Sequence, residues 1–145
     1  MQGQSVDLAL YAMSDRRAVG IDVESLRNTA AYQEIADRVF SSREAGEIRT
    51  LLPEKQREAF FSCWTRKEAY VKARGEGLSF LLDQFEVPLI SGRSMTFLST
   101  IRDRESASIW SLFNVPVECG YSAALAVEGD QCGLRFWEYS ASGEL

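Results

Sequence analysis

The fold is decided by residues 53–75, PEKQREAFFSCWTRKEAYVKARG. Pro53 suits the first turn of a helix, where a backbone N–H has no partner within the helix. Gly75 suits the position just past the last turn, where a left-handed backbone is favoured. We therefore expect one long helix between these two residues.

Apolar side chains of this helix share one sector when it is projected at about 100° per residue: Phe60, Phe61, Trp64 and Val71. Glu68 falls inside that sector, where a carboxylate is costly unless something pairs with it. Lys72 stands one turn further on, at a favourable spacing for an ion pair, and Lys67 lies at the edge of the sector. Glu68 and Lys72 could belong to a functional site. Alternatively, they form only a local ion pair, with both side chains extending outward to solvent.

A second acidic pattern lies upstream, in Val19-Gly20-Ile21-Asp22-Val23-Glu24. Side chains alternate along a strand, so the three apolar residues share one face and Asp22, Glu24 and Gly20 share the other. The carboxylates would lie about 7 Å apart, and Gly20 would let a ligand approach the backbone. Taken alone, the segment is more typical of an amphipathic strand with two solvated acids.

The remaining elements complete an α+β pattern. A strand over 6–13 and one over 18–24 predict a hairpin, and a short helix is expected at Tyr32–Val39. Ser41 to Glu44 match a capping box that opens a helix reaching about Leu52. Five strands are then expected, at 85–90, 95–100, 108–114, 121–127 and 134–139, with a frayed tail from Ser140. We expect one domain over residues 1–145, an antiparallel sheet packed against the long helix.

Composition excludes several classes of function. The chain has 145 residues and a net charge of −5, which argues against nucleic acid as the main partner. There is no histidine, so a serine–histidine triad is excluded and any metal should be a hard ion held by oxygen. No stretch is long and apolar enough to cross a membrane, and the polar N-terminus lacks signal-peptide features, so a cytoplasmic location is expected.

Cysteines and basic residues have plain interpretations. The three cysteines, Cys63, Cys119 and Cys132, lack metal-ligand spacing and are expected to be reduced. Six basic residues cluster between Lys55 and Arg74, and the simplest interpretation is a solvated basic helix face. That cluster could also dock an acidic partner.

Two segments in order resemble the signature motifs of 4'-phosphopantetheinyl transferases. They are Gly20-Ile21-Asp22-Val23-Glu24 and the stretch from Trp64 to Leu78, WTRKEAYVKARGEGL. Phe40 to Glu44 fit the sequence that this family carries between them. The similarity runs from about Val6 to Val127 and is greatest to the C-terminal half of the surfactin-activating, two-half type.

The resemblance implies an enzyme that moves the 4'-phosphopantetheine group of coenzyme A onto a serine of an acyl or peptidyl carrier protein. It implies that Asp22, Glu24 and Glu68 bind Mg²⁺, and that Lys72 and Lys67 contact the coenzyme A phosphates. Clustered carboxylates repel one another, and a divalent cation offsets that repulsion. With no histidine available, a general base must be Glu68 or a metal-oriented water, and Glu68 is our candidate. Glu44 stands at an acidic position of the family, but helix capping alone explains it.

Departures from the family pattern leave the assembly open. The N-terminal half of two-half members, with its basic and histidine residues, is absent from this sequence. We therefore expect either a separated half or a half completed by self-association or by another subunit. The alternatives to the transferase are a half-domain that binds metal or carrier protein without catalysis, and an interaction module whose acids are only solvated surface.

Overall fold

A computed structural model describes residues 2–5, 8–27, 31–75, 82–89, 96–102, 109–130 and 132–139 of the chain. Within these residues the strands are β1 Gln2–Ser5, β2 Leu8–Tyr11, β3 Val19–Ser25, β4 Thr96–Arg102, β5 Ile109–Asn114 and β6 Tyr121–Glu128. The helices are α1 Tyr32–Val39, α2 Ser42–Thr50 and α3 Pro53–Arg74, and a 3₁₀ turn follows at Leu82–Gln84. The α+β class with one long helix is confirmed.

The main sheet is antiparallel, in the order β3-β6-β5-β4. Its register places Asp22 opposite Ala124 and Glu24 opposite Ser122. Directly opposed residues project to the same face, so these four side chains lie on one side of the sheet. A separate two-stranded ladder joins β1 to β2.

Helix α3 packs against the face that carries the two acids. Gly20 makes this contact possible, because a Cβ added there would lie 2.1 Å from the carbonyl oxygen of Ala69 and 2.4 Å from the backbone nitrogen of Ala73. A core cluster fills this layer with buried side chains from the sheet and the helices, among them Phe60, Tyr70 and Leu112. The spacing between α3 and β3 is therefore fixed by backbone contact.

The opposite face of the sheet has its own apolar layer. Ile21, Val23 and Leu125 are among its buried members, and partly buried residues of β2 pack over them. Strand β1 runs close to β3, since a Cβ on Gly3 would lie 3.1 Å from the carbonyl oxygen of Ile21. Strand β3 is therefore covered on both faces.

Local signals fixed the helix ends as expected. The capping box of α2 is present, with the Ser41 hydroxyl accepting from the Glu44 backbone and the Glu44 carboxylate accepting from the Ser41 backbone. Gly75 adopts a φ of 73°, and its N–H donates to the carbonyls of Val71 and Lys72. The predicted helices at Tyr32–Val39 and between Pro53 and Gly75 are confirmed.

Three strand predictions were wrong. The predicted hairpin partner of residues 18–24 does not pair with them: β2 pairs with β1, and β3 pairs with β6. No regular strand forms over 85–89 or 132–139. Their apolar residues suggested strands, but Phe85 and Leu134 pack individually onto the two core clusters. Ile90 and the tail from Ser140 lie outside the described residues.

The expected solvated basic face of α3 was also wrong, because other elements cover the helix from about Ala59 onward. Ser62, Arg66 and Ala73 lie outside the apolar sector of the helix, yet all three are buried. The basic residues of α3 therefore do not form one solvated surface: Lys55 and Arg57 are exposed, whereas Arg66 and Lys67 are buried. In the part of the chain that the structure describes, no helix combines the length and apolar character needed to span a membrane.

Candidate active site

The candidate site lies where β3 meets the C-terminal half of α3. Alternation along β3 turns Asp22 and Glu24 toward the helix, on the same side as Gly20. Asp22 is only 4% exposed, and Glu24 is partly buried. Two carboxylates have thus been brought into a helix–sheet contact, where an unpaired charge is costly.

Lys72 supplies the opposite charge from α3. Its ammonium donates to Asp22 Oδ1 at 2.7 Å, and the Ile21 carbonyl oxygen lies at 3.4 Å. The Lys72 side chain remains 32% exposed, so it spans from the buried carboxylate to the surface. Asp22 Oδ2 is buried and accepts no hydrogen bond. Lys72 thus satisfies one oxygen of the aspartate, and the other is buried without a hydrogen-bond partner.

Glu68 joins this group from α3, one helical turn before Lys72. Burial raises its pKa above the ordinary value, the charge of Asp22 raises it further, and Lys72 opposes both effects. Burial also raises the pKa of Asp22, although the hydrogen bond and charge of Lys72 act in the opposite direction. Glu68 of α3 and Asp22 of β3 are therefore close enough for the charge of one to raise the pKa of the other.

Glu24 has the most perturbed carboxyl of the three. Burial first, then the charge of Asp22, raise its pKa to about 7, with a smaller contribution from the charge of Glu68. A hydrogen bond with the Trp64 side chain and the charge of Lys72 lower it, but less. At neutral pH the charged and neutral forms of this carboxyl are therefore both populated.

The donor set fits a hard cation in its chemistry. Three carboxyls supply only oxygen, and Asp22 Oδ2 is buried without a partner. The charge of Asp22 raises the pKa of both Glu24 and Glu68. Among the residues that the structure describes, no group of three or more acidic or cysteine side chains is arranged as a ready-made metal site. The Lys72 ammonium instead provides the positive charge beside Asp22.

Lys67, which the resemblance implied would contact phosphate, does not join this group in the structure. Its side chain is fully buried, and its ammonium lies 2.8 Å from Glu44 Oε1. It also donates to the carbonyl oxygens of Leu82 and Phe85. Adjacent helical positions project about 100° apart, so Glu68 reaches the sheet while Lys67 faces α2 and the 82–89 segment.

Glu44 does more than cap its helix. Its carboxylate pairs with Lys67, and its Oε2 accepts from the backbone N–H of Val87 at 2.8 Å. This fully buried pair therefore joins α2, α3 and the 82–89 segment. It is part of the core, as is Arg66, which donates to the Pro88 carbonyl.

Sequence reasoning missed one contributor and a group of polar neighbours. Trp64 was grouped only with the apolar side chains of α3, yet its side chain hydrogen-bonds Glu24. The Thr65 and Ser122 hydroxyls lie 3.1 Å apart, beside Glu24 in the register. Of these, only Trp64 had a usable signal, because it falls on the same helix sector as Glu68.

Comparisons with known proteins agree with this arrangement. Residues 18–126 match the model of the 4'-phosphopantetheinyl transferase superfamily. The chain belongs to this superfamily. That interval includes β3, the whole of α3 and nearly all of β6, and so contains every residue of the candidate site.

Individual relatives carry the same family name. The chain is 36% identical to 4'-phosphopantetheinyl transferase HetI of a Nostoc species, over 93% of this chain and 54% of HetI. It is 45% identical to 4'-phosphopantetheinyl transferase AcpT of Escherichia coli, over 48% of this chain and 35% of AcpT. The chain thus spans about half the length of HetI, and its match to AcpT covers about a third of AcpT.

A solved structure has the same fold. Thermotoga maritima holo-[acyl-carrier-protein] synthase superposes with a TM-score of 0.50, covering 87% of this chain and 79% of the synthase chain. The sequence identity is 21%, so this likeness concerns the fold.

Proposed function

We propose that this chain transfers the 4'-phosphopantetheine group of coenzyme A to a serine of an acyl or peptidyl carrier protein. One observation carries the proposal: α3 and β3 bring Asp22, Glu24, Glu68 and Lys72 into one partly buried group within the family-matched region. Membership of the superfamily supports the reaction class. The half-length match makes completion of the site by a second subunit part of the proposal.

Asp22, Glu24 and Glu68 would hold Mg²⁺. A bound Mg²⁺ would offset the negative charge of the pyrophosphate and of the three acids. Asp22 Oδ2 is the first ligand we assign, because it is buried and has no other partner. The pKa values of all three acids are raised, so their charged forms are disfavoured without a cation. A cation bound nearby would favour the charged form of each acid.

Lys72 would bind a phosphate oxygen. Its ammonium is partly exposed and already held at the site by Asp22, so little side-chain freedom would be lost on binding. Its charge would stabilise the negative charge that develops on the leaving phosphate. Lys67 has no part in this step, because its ammonium is buried against Glu44.

Glu68 would accept the proton of the carrier serine. As the serine oxygen bonds to the phosphorus that carries the pantetheine arm, the bond from that phosphorus to the bridging oxygen breaks. The phosphopantetheine group remains on the carrier, and 3',5'-ADP leaves. The charged carboxylate, which a nearby cation favours, is the form of Glu68 that can accept this proton.

A mass-shift assay tests the proposal. The purified chain, of known oligomeric state, is incubated with coenzyme A, Mg²⁺ and an apo carrier protein. We expect the carrier to gain the phosphopantetheine mass, and Asp22→Asn and Glu68→Gln variants to lose this activity while remaining folded. Glu138→Gln, at an exposed position of the 132–139 segment, is the matched control and should retain it.

The half-length match favours a second candidate, a half-domain that binds Mg²⁺ or a carrier protein without catalysis. It predicts thermal stabilisation by either ligand with no transfer. A folded wild-type protein that is inert on several carriers in every oligomeric state would refute the transferase.

A further inference from the structure

Two hydroxyls join α3 to β6 beside the candidate acids. Thr65 is fully buried on α3, and its Oγ1 lies 3.1 Å from the hydroxyl oxygen of Ser122 on β6. Ser122 lies directly opposite Glu24 in the β3–β6 register. Opposed residues have Cβ atoms about 5 Å apart, so the Ser122 side chain is an immediate neighbour of the Glu24 side chain.

The hydroxyl pair and the acids share one face of α3. Thr65, Glu68 and Lys72 are spaced at i, i+3 and i+7, which places them in one line along the helix. Both ends of this line contact the sheet, because Thr65 contacts Ser122 of β6 and Lys72 contacts Asp22 of β3. The line therefore has an ammonium at one end, a neutral hydroxyl pair at the other, and Glu68 between them.

Carbonyl oxygens around Thr65 decide the direction of the hydrogen bond between the two hydroxyls. Thr65 Oγ1 lies 2.9 Å from the carbonyl oxygen of Phe61 and 3.1 Å from that of Ser62. A carbonyl oxygen only accepts, and two oxygens at this distance repel each other unless a hydrogen lies between them. The single hydroxyl hydrogen of Thr65 is therefore directed to these carbonyls, and the Ser122 hydroxyl donates its own hydrogen to Thr65.

Ser122 consequently presents only lone pairs on its remaining side. Its one hydrogen is committed to Thr65, and among the residues that the structure describes its hydroxyl has no second hydrogen-bond partner. The carboxylate of Glu24, its neighbour across the ladder, also only accepts hydrogen bonds. A donor placed between these two acceptors would stabilise both.

A water bound to a hard cation is such a donor. Its oxygen faces the ion, so both of its hydrogens point outward to acceptors, and the positive charge strengthens the hydrogen bonds that it donates. Mg²⁺ dehydrates reluctantly and keeps several waters when carboxylates bind it. The lone pairs of Ser122 match the hydrogens that such a water presents.

We propose that Ser122 is a positioning residue of the cation site, which accepts a hydrogen bond from a water of the Mg²⁺ beside Glu24, and that Thr65 holds Ser122 in this accepting orientation. The inference rests on the proposed function. Groups that act on a metal through its ligands or waters typically change metal affinity by about 10- to 100-fold when they are removed.

Titration of Mg²⁺ against the melting temperature of the whole chain, with and without coenzyme A, tests the role of Ser122. Ser122→Ala should raise the apparent dissociation constant for Mg²⁺ about tenfold. Ser111→Ala is the matched control, because Ser111 donates to the Gly129 carbonyl and opposes Val127, in the apolar layer on the other face of the sheet. The control should keep the wild-type constant, and an unchanged constant in Ser122→Ala would overturn the inference.

Two substitutions at Thr65 separate positioning from packing. Thr65→Val keeps the shape of the side chain but removes the acceptor of the Ser122 hydrogen, so the Ser122 hydroxyl can turn and donate to Glu24. Thr65→Ser keeps the hydroxyl and loses a methyl group. We expect Thr65→Val to weaken Mg²⁺ binding about tenfold and Thr65→Ser to retain it. The reverse order would show that Thr65 acts through packing and would refute its positioning role.

Failure of this inference is distinguishable from failure of the proposed function. Equal Mg²⁺ binding by wild type and Ser122→Ala, with transfer of phosphopantetheine by the wild type, would refute the inference and leave the function standing. Absence of any Mg²⁺ stabilisation of the wild type, with or without coenzyme A, would remove the metal site of the proposed function and refute the inference as well. If Ser122→Ala does not fold, the order of the two Thr65 variants decides.

Discussion

Glu24 shows how one partly buried carboxyl makes stability depend on pH. Burial and the charge of Asp22 raise its pKa from 4.5 to about 7 in the folded chain. Between these values the folded state binds more protons than the unfolded state, so stability falls as pH rises. This contribution is fully present below about pH 4.5 and is lost as pH passes through 7. The pKa shifts of Asp22 and Glu68 act in the same direction, and Lys72 opposes all three.

We predict that the free energy of unfolding, measured by urea without Mg²⁺, decreases by about 1 kcal/mol between pH 5 and pH 8, a figure reduced for the partial exposure of Glu24. Glu24→Gln should make the decrease of stability with pH less steep, because it removes the carboxyl whose pKa is raised to about 7. The exposed-site variant Glu138→Gln should keep the wild-type slope. A wild-type stability that rises over this interval would contradict the charge arrangement described for the site.

The contact between β3 and α3 depends on a single missing side chain. At Gly20 an added Cβ would meet the backbone of Ala69 and Ala73 at 2.1 and 2.4 Å, and neither can move without displacing α3. We predict that Gly20→Ala costs more than about 4 kcal/mol of unfolding free energy or prevents folding. Gly46→Ala, within α2 and with nothing within 4 Å, should instead stabilise by about 0.5–1 kcal/mol. Chemical denaturation of the two variants measures this contrast, and similar stabilities would refute it.

The buried Glu44–Lys67 pair joins α2 to α3 and both to the 82–89 segment. Removing one partner leaves the other charge buried, so Lys67→Met should cost about 3–5 kcal/mol. Glu44→Gln should be costly for the same reason. The double variant should lose less than the sum of the single losses, because neither charge remains. A double-mutant cycle by urea denaturation measures the coupling, and strict additivity would show that the two side chains act independently.

Across the whole molecule, a cation that binds only the folded state should stabilise it by mass action. At Mg²⁺ concentrations 100 times the dissociation constant, the gain should be about 2.7 kcal/mol. We expect a higher melting temperature with Mg²⁺, reversed by a chelator and absent in Asp22→Asn. The gain should be larger at pH 8 than at pH 5, since the acids are charged at the higher pH. Equal stabilisation of wild type and Asp22→Asn would place the cation elsewhere.

Much of the fold followed from local signals. Pro53 and Gly75 delimited α3, the Ser41 capping box began α2, and alternation in β3 placed Asp22 and Glu24 on one face. These features depend on residues a few positions apart, whose backbone preferences act without the rest of the chain. The same locality let the sequence single out Glu68 as a carboxylate on an otherwise apolar sector.

Tertiary structure decided which charges are at the site and which are in the core. Lys67 and Lys72 have similar side chains on one helix, but Lys67 is buried against Glu44 while Lys72 reaches Asp22 and solvent. Their difference depends on α2 and on residues 82–89 packing against one side of α3 and β3 packing against another. The pairing of β3 with β6, some 100 residues along the chain, is of the same kind. Such contacts depend on how distant segments fill space around α3, which no local pattern of side chains records.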